Sequence, residues 1–183
     1  MILALDISTS CTGFCVFSYE GTLVNSGAIR LDREKDFFMK VRMVERIIRK
    51  LTVEYGLKVV VIEESLQSFR PGFSSAKTLF TLSKFNGIIQ YICYNLDMEV
   101  FTLNVNTARK LASIKIDRKS NVSTKEQVVQ QVSQNNELRL DLPKKILKSG
   151  PRKGQEVYEN AAYDIADAYV IGKAYCVENH TEC

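Results

Sequence analysis

The sequence has a single histidine, His180, in a polar tail, and five cysteines, Cys11, Cys15, Cys93, Cys176 and Cys183, odd in number and scattered. Such spacing builds neither a disulfide framework nor a zinc site. The thiols therefore read as reduced, as in a cytosolic protein, and any metal chemistry falls to oxygen ligands. No run of 18 or more apolar residues occurs, so no membrane-spanning helix is expected. The opening MILALDISTS lacks a basic segment, Asp6 breaks its apolar stretch, and the first arginine is Arg30. Neither a signal peptide nor an Arg-rich presequence fits that pattern.

What is present suits one domain with a sizeable core: 183 residues, 45% of them apolar, is short for two. The net charge of +4 is unevenly spread. Between Arg109 and Lys153 there are 12 Lys/Arg against 4 Asp/Glu, leaving 13 against 17 in the remainder. A basic segment on an acidic body is a candidate polyanion surface, although charge runs are also common on solvated faces.

The first thirty residues read as three strands, ILALDIS, GFCVFSYEG and TLVNSGAIRL, joined by tight turns at Thr12-Gly13 and Glu20-Gly21. Apolar residues at helical spacing predict an amphipathic helix from about Glu34 to Tyr55, ended by Gly56. KVVVIEES is a buried strand by its β-branched run. LQSFRPGF reads as a loop, followed by a long helix capped by Ser74 or Ser75, the strand MEVFTL and a short helix at NVNTARKLA. After a basic loop, Ser123 to Glu126 forms a capping-box pattern opening another helix. LPKKILKSGPRKGQ reads as a loop, and the last helix is expected from Glu156 to about Val177. The expected class is α/β, a five-stranded mixed sheet flanked by helices, its first three strands an antiparallel meander.

Acids occur where this scheme calls for apolar residues. Asp6 ends the first strand, Glu63 the fourth, with Glu64 beside it as a competing acid, and Asp164 and Asp167 lie three apart on one helix face. In open α/β sheets, ligands bind beyond strand ends, so these groups can share a crevice. A lone strand-end carboxylate is more often a turn or cap residue, and two acids at this spacing are more often solvated. Four converging carboxylates raise each other's pKa unless protons or cations neutralise them. Magnesium, hard and oxygen-seeking, is a natural remedy, and two such ions about 4 Å apart clamp the attacking water and leaving oxygen of a phosphodiester.

ALDISTSCTGFCVF resembles, without a gap, the first strand-turn-strand of the RuvC-type Holliday-junction resolvases, RNase H-like nucleases. VVIEES is similar to their second motif, STKEQVV to the segment bearing a catalytic lysine, and DIADAY to the closing Asp-x-x-Asp-Ala, all in the family's order from about Ile2 to Ala174. The resemblance implies a metal-dependent crossover junction endodeoxyribonuclease acting in DNA recombination and repair. Asp6, Glu63, Asp164 and Asp167 would be ligands to two Mg2+ or Mn2+ ions, and Lys125 would sit near the scissile phosphate. It implies branched DNA as partner and a homodimer facing a junction's two strands; a branch-migration partner is not legible. Arg109, or Lys110 in its place, falls where the family has another basic residue. The family inserts an aromatic near its second motif. Leu66 stands at the simplest aligned position here, so Phe69 or Phe73, flanking Arg70, takes that expectation. Lys115, Arg118 and Lys119, then Lys144, Lys145 and Lys148 in an inserted basic stretch, are further candidate DNA contacts. The expected setting is the cytoplasm of a bacterium or of a phage-infected cell.

Other protein classes share parts of this pattern. RNase H-like nucleases acting on RNA or RNA-DNA hybrids share the chemistry, and a junction-binding module without catalysis would tolerate loss of any acid. LDISTSCTGF also resembles the first phosphate loop of actin-like and sugar-kinase phosphotransferases, which are expected to need a second domain.

Overall fold

The computed structural model describes residues 1–64, 76–134, 140 and 142–180. Strands β1 (Ile2–Asp6), β2 (Cys11–Phe17) and β3 (Leu23–Arg30) form an antiparallel meander. Helix α1 (Phe37–Tyr55) leads to β4 (Val59–Glu63), which pairs parallel to β1, and α2 (Ala76–Tyr94) leads to β5 (Glu99–Leu103), parallel to β4. The sheet order β3-β2-β1-β4-β5 is the expected mixed five-stranded sheet. Helices α3 (Val105–Leu111), α4 (Thr124–Ser133) and α5 (Asn160–His180) complete the chain, with a two-stranded hairpin of β6 (Lys144–Ile146) and β7 (Glu156–Tyr158) before α5. Among the described residues no helix is long and apolar enough to cross a membrane.

Two cores follow from the period of two along each strand. Ile2, Ala4, Cys15, Phe17, Val59 and Val61 face α3, α4 and α5. Leu3, Leu5, Val16, Val60 and Ile62 face α1 and α2, where Val44, Ile48, Phe85 and Ile89 are fully buried. Helix α5 lies close on the first face because Gly172 meets the sheet: a Cβ there would come within 2.2 Å of the Phe17 ring. The four described cysteines, Cys11, Cys15, Cys93 and Cys176, are buried and free.

Four boundaries differ from expectation, each for a local reason. Thr12 and Gly13 lie inside β2, not in a turn; the turn is at Ser8–Ser10, where Ser8 Oγ accepts from the Cys11 amide at 3.1 Å. Helix α1 starts at Phe37 because Asp36 caps it, accepting from the Met39 amide at 2.8 Å. The basic stretch read as a loop is partly strand, and the last helix starts at Asn160 because Glu156, Val157 and Tyr158 pair with Ile146, Lys145 and Lys144.

Candidate active site

The register of two strands brings the first two acids together. Asp6 continues the Ile2, Ala4 face of β1 and Glu63 the Val59, Val61 face of β4, and the parallel pairing of Leu5 with Ile62 puts both acids at the next rung. Both therefore end on the face that α5 covers. Glu64, one residue on, has left that alternation, and its amide donates to the Leu103 carbonyl at 2.9 Å.

Helix α5 supplies the other pair. Asp164 and Asp167 sit on the turns that cross β1 and β2, and Asp167 is buried. The close crossing depends on Gly13, which pairs with Asp6 in the β1–β2 ladder: a Cβ at Gly13 would lie 2.0 Å from the Asp164 carbonyl oxygen. In the sequence Thr12-Gly13 reads as a turn, but Gly13 lies within β2. Its function here is to admit the helix that carries two acids to the strand that carries a third. The available signal was a glycine on an otherwise apolar, buried strand.

Electrostatics register the convergence. Burial raises Asp6 well above the usual carboxylate range, and Asp167, Glu63 and Asp164 push it further up against the pull of Lys125. Glu63 is raised by burial and then by Asp167, with Arg109 and Lys125 opposing. Burial also raises Asp167, opposed by Lys125 and Arg109, and Asp164, opposed by the thiol of Cys11 and by Lys125. The Cys11 thiol, a residue sequence reading did not select, is itself pushed up to about 12, mainly by burial and then by its hydrogen bond to Asp164. As the side chains stand, no three His, Cys, Asp or Glu groups among the described residues are gathered tightly enough to hold a metal ion. The four acids form a cluster raised chiefly by burial and faced by two cations.

Those cations come from neighbouring helices. Lys125 Nζ is 4.0 Å from Asp164 although its side chain is largely exposed. Ser123 caps α4 by accepting from the Glu126 amide at 3.3 Å, and Glu126 accepts from Tyr163 at 2.8 Å, so α4 is pinned beside α5 with Lys125 over the acids. On α3, Arg109 lies 3.9 Å from Asp167, and its Nε is buried with no hydrogen-bond partner among the described residues. Of the two alternatives, Arg109 meets the acids, whereas Lys110 is exposed.

A basic groove extends from this centre. Arg109, Lys110, Lys115 and Arg118, with Asn106 and Thr124, line a depression of about 580 Å3. The loop carrying Lys115 and Arg118 is strapped to α4 by two glutamines. Gln131 accepts from the Lys115 amide and donates to its carbonyl, at 2.9 and 2.7 Å, and Gln127 does the same for Asp117 at 2.9 Å each way. Sequence reading had no means to see those straps. Lys119 is exposed on the same loop.

Solved structures share this architecture. RuvC of Thermus thermophilus in complex with a Holliday junction substrate aligns with 98% of this chain and 95% of its own, at a TM-score of 0.67 and 13% identity. A second Thermus thermophilus RuvC structure gives 0.64 and 13%, over 99% and 96%. The yeast mitochondrial Holliday junction resolvase Ydc2 gives 0.53 and 13%, over 96% and 77%. The chain has the fold of the RuvC-type resolvases. No protein-family model and no curated protein sequence matches it.

Within that resolvase fold the remaining expected contacts divide. Lys145 lines a second cleft beside Asp164, whereas Lys144 is held by Glu156 at 2.9 Å and lies over the Tyr158 ring, and Lys148 is exposed near the hairpin tip. Phe69, Arg70 and Phe73, with Leu66, Ser74 and Ser75, lie outside the described residues, as does Cys183.

Proposed function

We propose that this chain is a metal-dependent, structure-selective DNA endonuclease that cuts four-way junctions and other branched DNA. The observation that carries the reading is the convergence of Asp6, Glu63, Asp164 and Asp167 from β1, β4 and α5, faced by Lys125 and Arg109, at one end of a resolvase-type sheet. The donor set is all hard oxygen, and burial raises the pKa of all four acids, so it fits hard divalent cations such as Mg2+ or Mn2+. Asp6, Glu63, Asp164 and Asp167 would hold two of them, and bound ions supply Lewis-acid stabilisation of the attacking and leaving oxygens.

The chain's own residues do the rest. Arg109 and Lys125 hold Asp167 and Asp164 in place before substrate arrives. Lys125 also reaches solvent, so its ammonium can meet the scissile phosphate and stabilise the charge that develops there. The groove of Lys110, Lys115 and Arg118 binds backbone phosphates, which positions DNA without reading its sequence. A homodimer of such single-domain chains would place two centres against a junction's two strands with no signal beyond symmetry.

The test is cleavage of end-labelled four-way junction, Y-fork, linear duplex and RNA-DNA hybrid with Mg2+ or Mn2+, and after chelation. Paired symmetric nicks in the junction, lost on chelation, are the expected result. Cutting of the hybrid alone moves the reading to an RNA-directed nuclease, and metal-dependent binding with no cutting moves it to a binding module.

A further inference from the structure

The β6–β7 hairpin does more than add charge. Its base is fixed: Leu142 is buried in the core, and the Glu159 amide donates to the Pro143 carbonyl at 2.9 Å. Its tip is closed by Leu147 and Gln155, with Gly150 and Gly154 in the left-handed region. Strand alternation then sends neighbouring lysines to opposite faces. Lys144 turns toward Glu156 and Tyr158, while Lys145 turns into a cleft of about 650 Å3 that it shares with Ser10, Ser123, Arg30, Lys125 and Asp164.

The cations of this cleft are not equivalent. Arg30 is paired with Glu159, and Lys125 is 4.0 Å from Asp164. Lys145 makes no ion pair among the described residues. The cleft and the basic groove draw on consecutive residues at the first turn of α4, Lys125 lining the cleft and Thr124 the groove, and each holds a cation that faces the acids, Lys125 in one and Arg109 in the other.

We propose that this cleft seats a backbone phosphate close to the scissile one, held by Lys145 with the hydroxyls of Ser10 and Ser123. The hairpin would thereby set which phosphodiester faces the carboxylates. The assignment rests on the nuclease reading above for the meaning of register, but the phosphate contact itself is measurable without cutting.

The experiment uses the full chain and a four-way junction carrying one uncharged methylphosphonate at a time along the cut strand, with binding measured in metal-free buffer. For wild type, one position within a few nucleotides of the cut should lower affinity about tenfold, as expected for loss of a charge-assisted hydrogen bond. Lys145→Ala should lose about as much on the unmodified junction and lose nothing more at that position. Lys144→Ala, which removes the same charge from the other face, should keep the full methylphosphonate effect. If Lys145→Ala binds like wild type, or remains sensitive at every position, the assignment is wrong. Circular dichroism of both variants checks folding. Wild-type cutting without any Lys145-phosphate coupling removes the cleft and leaves the nuclease; coupling in a chain that cuts nothing under Mg2+ or Mn2+ keeps the cleft and removes the nuclease.

Discussion

The carboxylate centre and the basic flank beside it are built by different means. The centre is made by backbone register: a period of two along β1 and β4, a one-turn spacing on α5, and a glycine on β2 that lets helix and sheet touch. The flank is made by side chains acting at a distance in sequence, through the Gln127 and Gln131 straps, the Tyr163–Glu126 bond and the hairpin. The first is half-buried to buried and electrostatically costly, the second mostly exposed and tolerant. Removing a group from the centre should therefore change chemistry, and removing one from the flank should change binding.

The sharpest test of that division is Asp167→Asn, nearly isosteric in a buried site. On the proposed two-ion reading, cutting should fall by a factor on the order of 1000 or more, while junction affinity stays within a few-fold. Comparable losses in cleavage and binding would mean that the centre also carries affinity. Next in size is Gly13→Ala. The added methyl collides with backbone, which cannot rotate away, so about 1–3 kcal/mol of stability should be lost in denaturant unfolding. Cutting should drop with it, as Asp164 moves off Asp6. A variant that unfolds like wild type would show that α5 can retreat freely, and the close crossing would lose its importance.

Much of this centre was legible because acids on apolar strands and helices violate an easily read period. Asp6 and Glu63 stood out that way, and the strand pairing then explains why Glu63, rather than Glu64, shares a face with Asp6. The flank was less legible. Lys144 and Lys145 are indistinguishable in a Lys-rich stretch read as a loop; only the pairing of Lys145 with Val157 assigns them opposite faces. Gly13 was visible and misread, because a glycine after a threonine is a common turn signal and its true partner lies about 150 residues away in the chain.

The flank predicts a graded effect. Replacing Lys110, Lys115 and Arg118 together by alanine should flatten the dependence of log affinity on log salt by about 0.9 for each phosphate no longer neutralised, and leave the cleavage rate at saturating protein close to wild type. A fall in the saturated rate would make the groove part of the chemistry and erase the contrast between the two regions.

The smallest effect concerns the electrostatic cost of the centre itself. The folded-state pKa values of Asp6, Glu63, Asp164 and Asp167 are raised, chiefly by burial. A carboxyl raised on folding binds its proton more tightly in the native state. Its contribution is fully stabilising below the unfolded-state value, 3.8 for an aspartate, and is lost as pH climbs through the raised folded-state value. Without divalent ions, these groups should make the protein lose thermal stability as pH rises from that region toward neutrality. Asp6→Asn, which removes the most strongly raised of them, should increase Tm by a few degrees at pH 7 while abolishing cutting. Divalent ions should stabilise wild type and do much less for Asp6→Asn, because the same charge that destabilises the empty centre attracts the ion. If Asp6→Asn lowers Tm at neutral pH instead, then Asp6 is held by the surrounding fold as a structural group, and the contrast between a costly centre and a tolerant flank fails at its most strongly raised residue.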